Sequence, residues 1–396
     1  MGKKRLLPRR PGRPYTSFLL LAVFFLTASS VIFFSLPAPA VPVVDDGPVV
    51  YSITVFAGQS RKGFKDGSNK KALFNWPTGV APGKGGVILV ADYGNNALRE
   101  IRKGSVLTLN SIASSGAGKG GYKDGPVKDA LFRGPNNMAI DKEGNIFIAD
   151  ADNFRIRKIT PDGTVSTIAG GAPGYRNGPA LKARFGYPTG VAVGDDGTIF
   201  VADRRTHTIR KISTEGIVST IAGNPNPGYA DGRGVMSHFK EPVGVAVYGK
   251  VVYVTDSGNN AVRKIMPDGR VLTLAGAPEH GFRDGSRAGA RFSWPTGIAV
   301  DKQGNIFVCD SGNNSIRRIT QGGSVSTITI RAGRQPHAGR QPRAGRQPHA
   351  GRQSPAAKSK GTGVLRFPTG IALSPSGDIY VADSGNNNIK KISRDR

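Results

Sequence analysis

The chain has 396 residues, 38% of them hydrophobic, which is enough material for one large or two medium domains. Its single cysteine excludes an intramolecular disulfide framework and any metal site built from several thiolates. The net charge is +28; residues 1–40 and 331–360 contain basic residues but no acidic ones, and the rest of the chain is still basic. This balance favours anionic partners in general.

The first predicted element is a membrane-spanning helix. A basic leader at residues 1–16 precedes an uncharged apolar run at residues 17–36. Such a run rises about 30 Å as a helix, enough to cross a bilayer core, whereas a cleavable signal peptide has an apolar region of only about 7–15 residues. We therefore expect a single-pass signal-anchor, with the leader in the cytosol and the remainder lumenal or extracellular. The small residues at 38–40 leave secretion after cleavage as the alternative.

After a linker at residues 37–49, residues 50–395 repeat one motif six times. The fifth copy reads PTGIAVDKQGNIFVCDSGNNSIRRI. Each copy predicts two short apolar strands joined by a turn, an aspartate where the second strand ends, and a third strand of alternating apolar and basic residues. The period of more than fifty residues predicts a propeller or an array of such units. The repeated aspartates are Asp92, Asp150, Asp203, Asp256, Asp310 and Asp383.

A fourth strand is predicted after each of the first five copies, but the chain ends after the sixth. Its equivalent lies at the other end of the repeat region, in residues 50–58. The repeats therefore predict a closed ring in which the N-terminal strand completes the last unit. Closure leaves few exposed sheet edges, which is the physical reason to build such a ring.

A second motif lies between the units: Gly, then Phe or Tyr, any residue, and Asp-Gly or Asn-Gly, with a later Phe near the next proline. We expect its aromatic residues to pack between units. Because neighbouring strands are antiparallel, these linkers and the loops after the six aspartates should share one face, here called the top face. A low-complexity segment at residues 331–362 replaces the last linker, and its Arg, Gln and Pro content predicts a disordered insert.

Together these motifs resemble the NHL repeat. The resemblance covers about residues 50–395 apart from the insert, and it implies a six-bladed β-propeller of the TolB-like class. The predicted fold is thus all-β, a six-bladed propeller closed by an N-terminal strand and preceded by one hydrophobic helix. The resemblance implies no single activity, because such propellers serve as protein-, RNA- and ligand-binding platforms and as enzyme scaffolds.

The repeated residues are interpreted as structural. An aspartate at a strand end accepts hydrogen bonds from N–H groups of turns, and the third-strand arginines either pair with acids or lie exposed. Cys309 takes the place of an alanine and should be a small buried apolar residue. No catalytic residue, cofactor or metal ligand is predicted, since no strong zinc ligand begins the innermost strands. A hydrolase or lyase on the same scaffold remains the enzymatic alternative.

Breaks in the pattern point to function more directly. Repeat three carries Arg204, Arg205 and His207 where other copies have turn residues such as Ser-Gly-Asn-Asn, and the insert carries Arg334, Arg340, Arg343 and Arg346. These residues are the predicted partner-binding candidates; a drifted surface loop and a tolerated repeat expansion are the alternatives. The predicted function is a membrane-anchored or secreted, non-catalytic platform whose top face binds a protein or an anionic partner such as an acidic glycan. RNA binding would require the opposite, cytosolic topology.

Overall fold

Six β-sheets form the fold, in a computed structural model that describes residues 50–110, 120–332 and 364–395. The innermost strands of successive sheets contact one another in a closed circle around a central channel. The described residues therefore form an all-β, six-bladed propeller. The predicted hydrophobic helix at residues 17–36 lies outside them. Within the described ranges, every helix is a single 3-10 turn, and none is long and apolar enough to cross a membrane.

The first three blades each contain four strands, named A to D from the channel outwards, and a two-residue outer strand. Their A strands begin at a proline and their B strands end at one of the repeated aspartates. In the order A, B, C, D and outer, blade one has Pro77–Pro82, Ile88–Asp92, Ala97–Arg102, Ser105–Thr108 and Gly67–Ser68; blade two has Pro135–Ile140, Ile146–Asp150, Arg155–Ile159, Thr164–Gly170 and Gly125–Pro126; blade three has Pro188–Val193, Ile199–Asp203, Thr208–Ile212, Ile217–Gly223 and Gly178–Pro179.

Blades four and five repeat this arrangement, and blade six joins both ends of the repeat region. In the same order, blade four has Pro242–Tyr248, Val251–Asp256, Ala261–Ile265, Arg270–Gly276 and Gly232–Arg233; blade five has Pro295–Val300, Ile306–Asp310, Ser315–Ile319, Ser324–Thr327 and Gly285–Ser286; blade six has Pro368–Leu373, Ile379–Asp383, Asn388–Arg394, Val50–Ala57 and Thr329–Ala332.

The N-terminal strand closes the ring as predicted. Val50–Ala57 pairs antiparallel with Asn388–Arg394, and Ile53 lies opposite Ile392. The first strand of the repeat region is thus the D strand of the last blade, so the circle is held by main-chain hydrogen bonds between the two ends of the propeller.

The outer strands were not predicted. In five blades the linker preceding strand A adds two residues to the edge of strand D, as Gly232–Arg233 does to Arg270–Gly276. In blade six the chain leaving blade five supplies the outer strand instead, and Thr329–Ala332 runs parallel to Val50–Ala57. Arg331 and Ala332, predicted to begin the disordered insert, therefore belong to a strand; residues 333–363 lie outside the described residues.

A 3-10 turn fills every loop between strands B and C. Its next residue adopts a left-handed backbone, as Asn260 does at φ +50°. Asparagine tolerates this conformation, which explains the repeated Asn-Asn pairs. The six turns are Tyr93–Asn95, Ala151–Asn153, Arg204–Thr206, Ser257–Asn259, Ser311–Asn313 and Ser384–Asn386; other 3-10 turns are Lys84–Gly86, Val127–Asp129, Ala180–Lys182, Gly234–Met236 and Arg287–Gly289.

Among the residues that the structure describes, six hydrophobic clusters lie between neighbouring blades. Between blades three and four, Ala202 and Ile209 pack with Phe239 and Val254. Cys309 lies in the cluster between blades five and six, where it is fully buried beside Ile371. Burial raises the pKa of its thiol well above the ordinary range. The expectation of a small buried apolar residue at this position is confirmed.

The repeated pattern of the linker is explained by a buried arginine of strand C, which pairs with one aspartate of the linker and one at the end of strand B; we call this arrangement the arginine clamp. In blade four, Arg263 donates to Asp256 at 2.7 Å and to Asp231 of the linker at 2.8 Å. The ring centroids of Tyr229 and Phe239 lie 5.1 and 5.0 Å from its guanidinium carbon, which are distances typical of cation–π contacts. The later aromatic residue packs between blades, as predicted, but the first one covers the arginine. The third-strand arginines are therefore buried and paired.

The same clamp recurs around the ring with two departures. The clamped arginines of blades one to five are Arg99, Arg157, Arg210, Arg263 and Arg317, all with fully buried side chains. In blade three Asn177 takes the place of the linker aspartate. In blade six Lys390 takes the place of the arginine, 3.8 Å from Asp383. The linker of that blade is the Arg/Gln/Pro-rich segment, whose sequence in residues 333–363 contains no acid, Phe or Tyr.

Candidate functional site

The top end of the channel is built from the starts of the six A strands. Their threonines bridge neighbouring blades: the Thr78 hydroxyl donates to the Asn136 carbonyl at 3.0 Å, and the Thr189 hydroxyl to the Val243 carbonyl at 3.0 Å. The threonine side chains at this position thus link the blades and are not free to bind a ligand through their protons.

A ring of glycines follows these threonines. A Cβ atom at Gly297 would lie 2.2 Å from the Thr369 carbonyl oxygen, so only glycine permits this approach of the two backbones. Asn137 replaces glycine in blade two. It lines both the upper cavity of about 210 Å³ and the lower cavity of about 920 Å³. Asn137 therefore marks the boundary between the two halves of the channel.

In five blades the residue before the strand-A proline has an unusual backbone; Tyr187 of blade three is the exception. Trp76, Glu241, Trp294 and Phe367 adopt φ between +47° and +54°, and Gly134 adopts +60°. Their N–H groups are held by the loop of the preceding blade.

The acceptor is the last residue of that loop. The N–H of Trp76 donates to Asn387 Oδ1 at 3.0 Å, and that of Trp294 donates to Asn260 Oδ1 at 2.9 Å. In blade two the loop residue is Phe154, whose side chain has no acceptor, and Tyr187 donates instead to Asp203. These bonds join the linkers and the B–C loops, which confirms that both lie on one face.

An aromatic collar surrounds the upper cavity. We use this name for Trp76, Tyr93, Tyr187, Trp294 and Phe367. Tyr93 belongs to the blade-one loop and leans over Gly134, and its hydroxyl lies 2.9 Å from that of Tyr187. The rings of Trp76 and Phe367 are 5.8 Å apart and tilted. Both tryptophans of the chain belong to the collar.

The sixth position of the collar is an ion pair. Arg204 Nη2 donates to Glu241 Oε2 at 2.5 Å, and the guanidinium lies 5.4 Å from the Trp294 ring centroid. The predicted binding residue Arg204 is thus at the channel mouth, but its charge is balanced by Glu241.

Arg205 and His207 lie beside this pair around an adjoining cavity of about 600 Å³, which Tyr93, Asp152 and Tyr187 also line. The exposed guanidinium of Arg205 is 5.2 Å from the Tyr187 ring centroid, and it has no acidic partner in the part of the chain that the structure describes. Burial, with the hydroxyl of Tyr93 and the nearby Asp152 acting in the same direction, raises the pKa of Tyr187.

His207 does not act as a surface cation. Its Nδ1 accepts the N–H of Glu241 at 3.1 Å, which requires a neutral ring with the proton on Nε2. Burial lowers the pKa of the imidazole, against the opposing effect of Glu241 and Asp203. The structure therefore brings the three predicted residues of repeat three together, and Arg205 alone offers an unbalanced positive charge among them.

Replacing His207 by asparagine should reduce the sensitivity of the protein to acid. In the wild-type chain the unfolded state binds a proton near pH 6.5 while the folded state resists it. Stability is therefore lost as pH falls below about 6.5, by less than the ~1.4 kcal/mol per pH unit of a fully buried group, because the ring is partly exposed to solvent. Asparagine supplies the same acceptor in four other blades and does not titrate. Urea unfolding of wild type and His207→Asn at about pH 7.5 and about pH 5 tests this, with the exposed His280→Asn as the control. If His207→Asn loses as much stability between the two pH values as wild type does, the prediction is contradicted.

The six repeated aspartates are fully buried and line neither cavity of the channel. In blade four, Asp256 accepts the N–H of Lys240 at 2.7 Å, the Asn259 amide at 2.8 Å and the Arg263 guanidinium at 2.7 Å. Burial raises the pKa of Asp256 to about 6, and the guanidinium of Arg263 opposes this rise. Each such carboxylate holds a linker, a loop and a C strand together.

The predicted insert residues Arg334, Arg340, Arg343 and Arg346 lie outside the described residues. Among the residues that are described, no group of three or more His, Cys, Asp or Glu side chains is arranged to hold a metal ion.

Sequence reasoning missed the aromatic collar. Its signal was present, because both tryptophans stand directly before Pro-Thr-Gly, and a tyrosine and a phenylalanine hold the equivalent positions in blades three and six. The positive φ of the pre-proline residue was the missing information, since a residue before proline ordinarily adopts extended backbone.

A comparison with models of protein families matches three stretches of the chain to a repeat family. The family model described as NHL repeat matches residues 185–212, 292–319 and 365–392, which lie in blades three, five and six. The chain contains NHL repeats. The other three blades have the same strand order, buried aspartate and turn as the matched ones.

Two curated relatives share the sequence over most of this chain. It is 31% identical over 288 residues to the Arabidopsis thaliana protein SUPPRESSOR OF QUENCHING 1, chloroplastic, covering 67% of this chain and 27% of that protein. It is 26% identical over 361 residues to the Bos taurus NHL repeat-containing protein 2, covering 80% of this chain and 47% of the relative. The chain thus spans about a quarter and about half of the length of these relatives.

Among solved structures, a streptogramin B lyase superposes with a TM-score of 0.53 and 15% identity, over 87% of this chain and 98% of the lyase. At this identity the similarity concerns the fold alone.

Proposed function

We propose that this NHL propeller is a non-catalytic interaction platform whose top face binds a protein or an anionic partner. The observation that carries the proposal is the collar: five aromatic side chains gather around the channel mouth, with Arg205 beside them. Aromatic residues and arginines are enriched where proteins bind partners. The repeated aspartates and arginines are engaged within the blades, which leaves the top-face departures from the repeat as the binding groups.

A hydrolase or lyase activity is the second candidate. Its support is the shared fold with the streptogramin B lyase, and this extends to the architecture only. RNA binding, the third candidate, would use the same basic residues if the propeller faced the cytosol.

We further propose that residues 17–36 anchor the protein in a membrane with the propeller lumenal or extracellular, or that they are removed on secretion. The length and uncharged character of this run support the proposal. Protease protection of intact vesicles, with N-terminal sequencing of the mature chain, tests it. A propeller that is digested on the cytosolic side would contradict both forms.

Charge reversal on opposite faces tests the platform. Arg205→Glu changes the top face, and Lys302→Glu is the matched control in the turn between strands A and B at the bottom of the channel. We expect full-length Arg205→Glu to lose partners that wild type and Lys302→Glu both retain, measured by quantitative mass spectrometry after capture from native membranes or medium. Equal retention by the two variants would contradict a top-face binding site.

A further inference from the structure

Three residues of the collar keep a left-handed backbone at a position where glycine would avoid the strain. Trp76, Trp294 and Phe367 hold φ between +47° and +54°, a region that glycine adopts freely and that bulky residues avoid. Gly134 holds the equivalent position in blade two at φ +60°, so glycine fits there. Strained backbone of this kind clusters where proteins bind ligands, so its retention under bulky rings supports a use for these side chains.

The side chains of these three residues border one cavity. With Tyr93 and Tyr187 they surround about 210 Å³ of space, and Asn137 lines its lower end. The polar groups of the collar at this cavity are few and placed around it: the two tyrosine hydroxyls, Arg204 and the Asn137 amide. Glu241, the partner of Arg204, lines the adjoining cavity. Apolar walls with a few convergent polar groups are typical of a small-ligand site.

The charge around the cavity favours an anionic ligand. Arg205 stacks on Tyr187 at the edge of the collar, where it lines the adjoining cavity with Asp152 and Glu241. Glu241 pairs with Arg204, and no ion pair joins Arg205 to Asp152 or to another acid among the described side chains. The chain as a whole carries a net charge of +28. A guanidinium in this setting can form two parallel hydrogen bonds to a carboxylate. A quaternary ammonium ion, which aromatic rings also attract, would be opposed by Arg205 and the overall charge.

We propose that the collar binds the terminal sugar of an acidic saccharide. The apolar C–H face of a pyranose ring stacks on Trp76 or Trp294, its hydroxyl groups bond to the tyrosine hydroxyls and Glu241, and its carboxylate pairs with Arg205. This inference rests on the proposed function, because it names the ligand class of the same top face.

Tetragalacturonate is the probe, and its fully methyl-esterified form is the matched neutral control. Titration of the full-length protein, followed by the fluorescence of Trp76 and Trp294 and by calorimetry, should show binding of the acid. The ester should bind wild type about tenfold or more weakly, and Arg205→Gln should weaken binding of the acid by a similar factor, because a charge-assisted hydrogen bond is lost.

Trp76→Gly separates a binding role from a structural one. It should weaken binding of tetragalacturonate about tenfold, through loss of the stacking surface, without lowering the melting temperature, because glycine relieves the backbone strain. Tyr248→Ala, an exposed aromatic residue away from the collar, should leave the affinity unchanged. The proposal is overturned by absence of binding, by equal binding of acid and ester, by full affinity in Trp76→Gly, or by competition from choline.

Failure of this inference and failure of the proposed function are distinguishable. If tetragalacturonate does not bind while Arg205→Glu still loses partners that Lys302→Glu keeps, the top face binds a different class of partner and only the saccharide inference fails. If Arg205→Glu and Lys302→Glu retain the same partners, the platform itself fails.

Discussion

Replacing Arg263 by methionine should lower the free energy of unfolding by about 3–5 kcal/mol, because it leaves a buried carboxylate without its counter-ion. Asp256 is fully buried and Arg263 is its charged partner. The substitution also removes the stack between Tyr229 and Phe239. Guanidinium chloride unfolding followed by circular dichroism measures the loss.

Arg270→Met is the matched control in the same blade. Arg270 pairs with Asp268 at 2.7 Å, the same distance as the Arg263–Asp256 pair, but its side chain is 60% exposed. An exposed pair contributes about 0–1 kcal/mol, since water already solvates both charges. If the two variants lose equal stability, burial does not increase the contribution of the Arg263–Asp256 pair to the free energy of unfolding.

Replacing Gly297 by alanine should destabilise the propeller by about 1–3 kcal/mol or more, because the added methyl group meets main-chain atoms that side-chain rotation cannot move. The new Cβ would lie 2.2 Å from the Thr369 carbonyl oxygen, and relief requires blades five and six to separate. The loss should appear as a lower melting temperature in differential scanning calorimetry.

Asn137→Ala provides the control at the equivalent position of blade two. A Cβ is already accommodated there, so the substitution should cost about 1 kcal/mol or less, from the hydrogen bond that the Asn137 amide oxygen accepts. A comparable loss in both variants would show that the glycine ring does not set the spacing of the blades.

The scaffold could be predicted from the sequence because the same pattern of strands and turns occurs six times. Alignment of the six copies predicts the strands from their apolar runs and the turns from their glycines. It also predicts that Val50–Ala57 is the missing fourth strand of the last unit. The position of Phe239 between blades followed from the same pattern.

What escaped prediction depends on contacts between distant segments. The crossing of Thr329–Ala332 into blade six has no local signature, since the same apolar residues would serve as an ordinary D strand. The role of Tyr229 required knowing that Arg263 passes under the linker. The collar escaped because four different blades supply its residues, and these meet only when the ring closes.

His207 shows how a departure from the repeat can mislead. As sequence, a histidine beside two arginines suggests a cationic patch. In the structure it replaces the asparagine acceptor of other blades and receives the N–H of Glu241, so it serves the junction between blades. The break in repeat three that we propose to be functional is Arg205, together with the Arg204–Glu241 pair that replaces an aromatic residue in the collar.

Quenching of tryptophan fluorescence tests the central claim most directly. Trp76 and Trp294 are the only tryptophans of the chain, and both stand in the collar. Acrylamide should quench them readily in the free protein and much less once a partner retained by wild type and lost by Arg205→Glu is bound. Unchanged quenching in that complex would show that the partner is held elsewhere and that the collar is not the binding site.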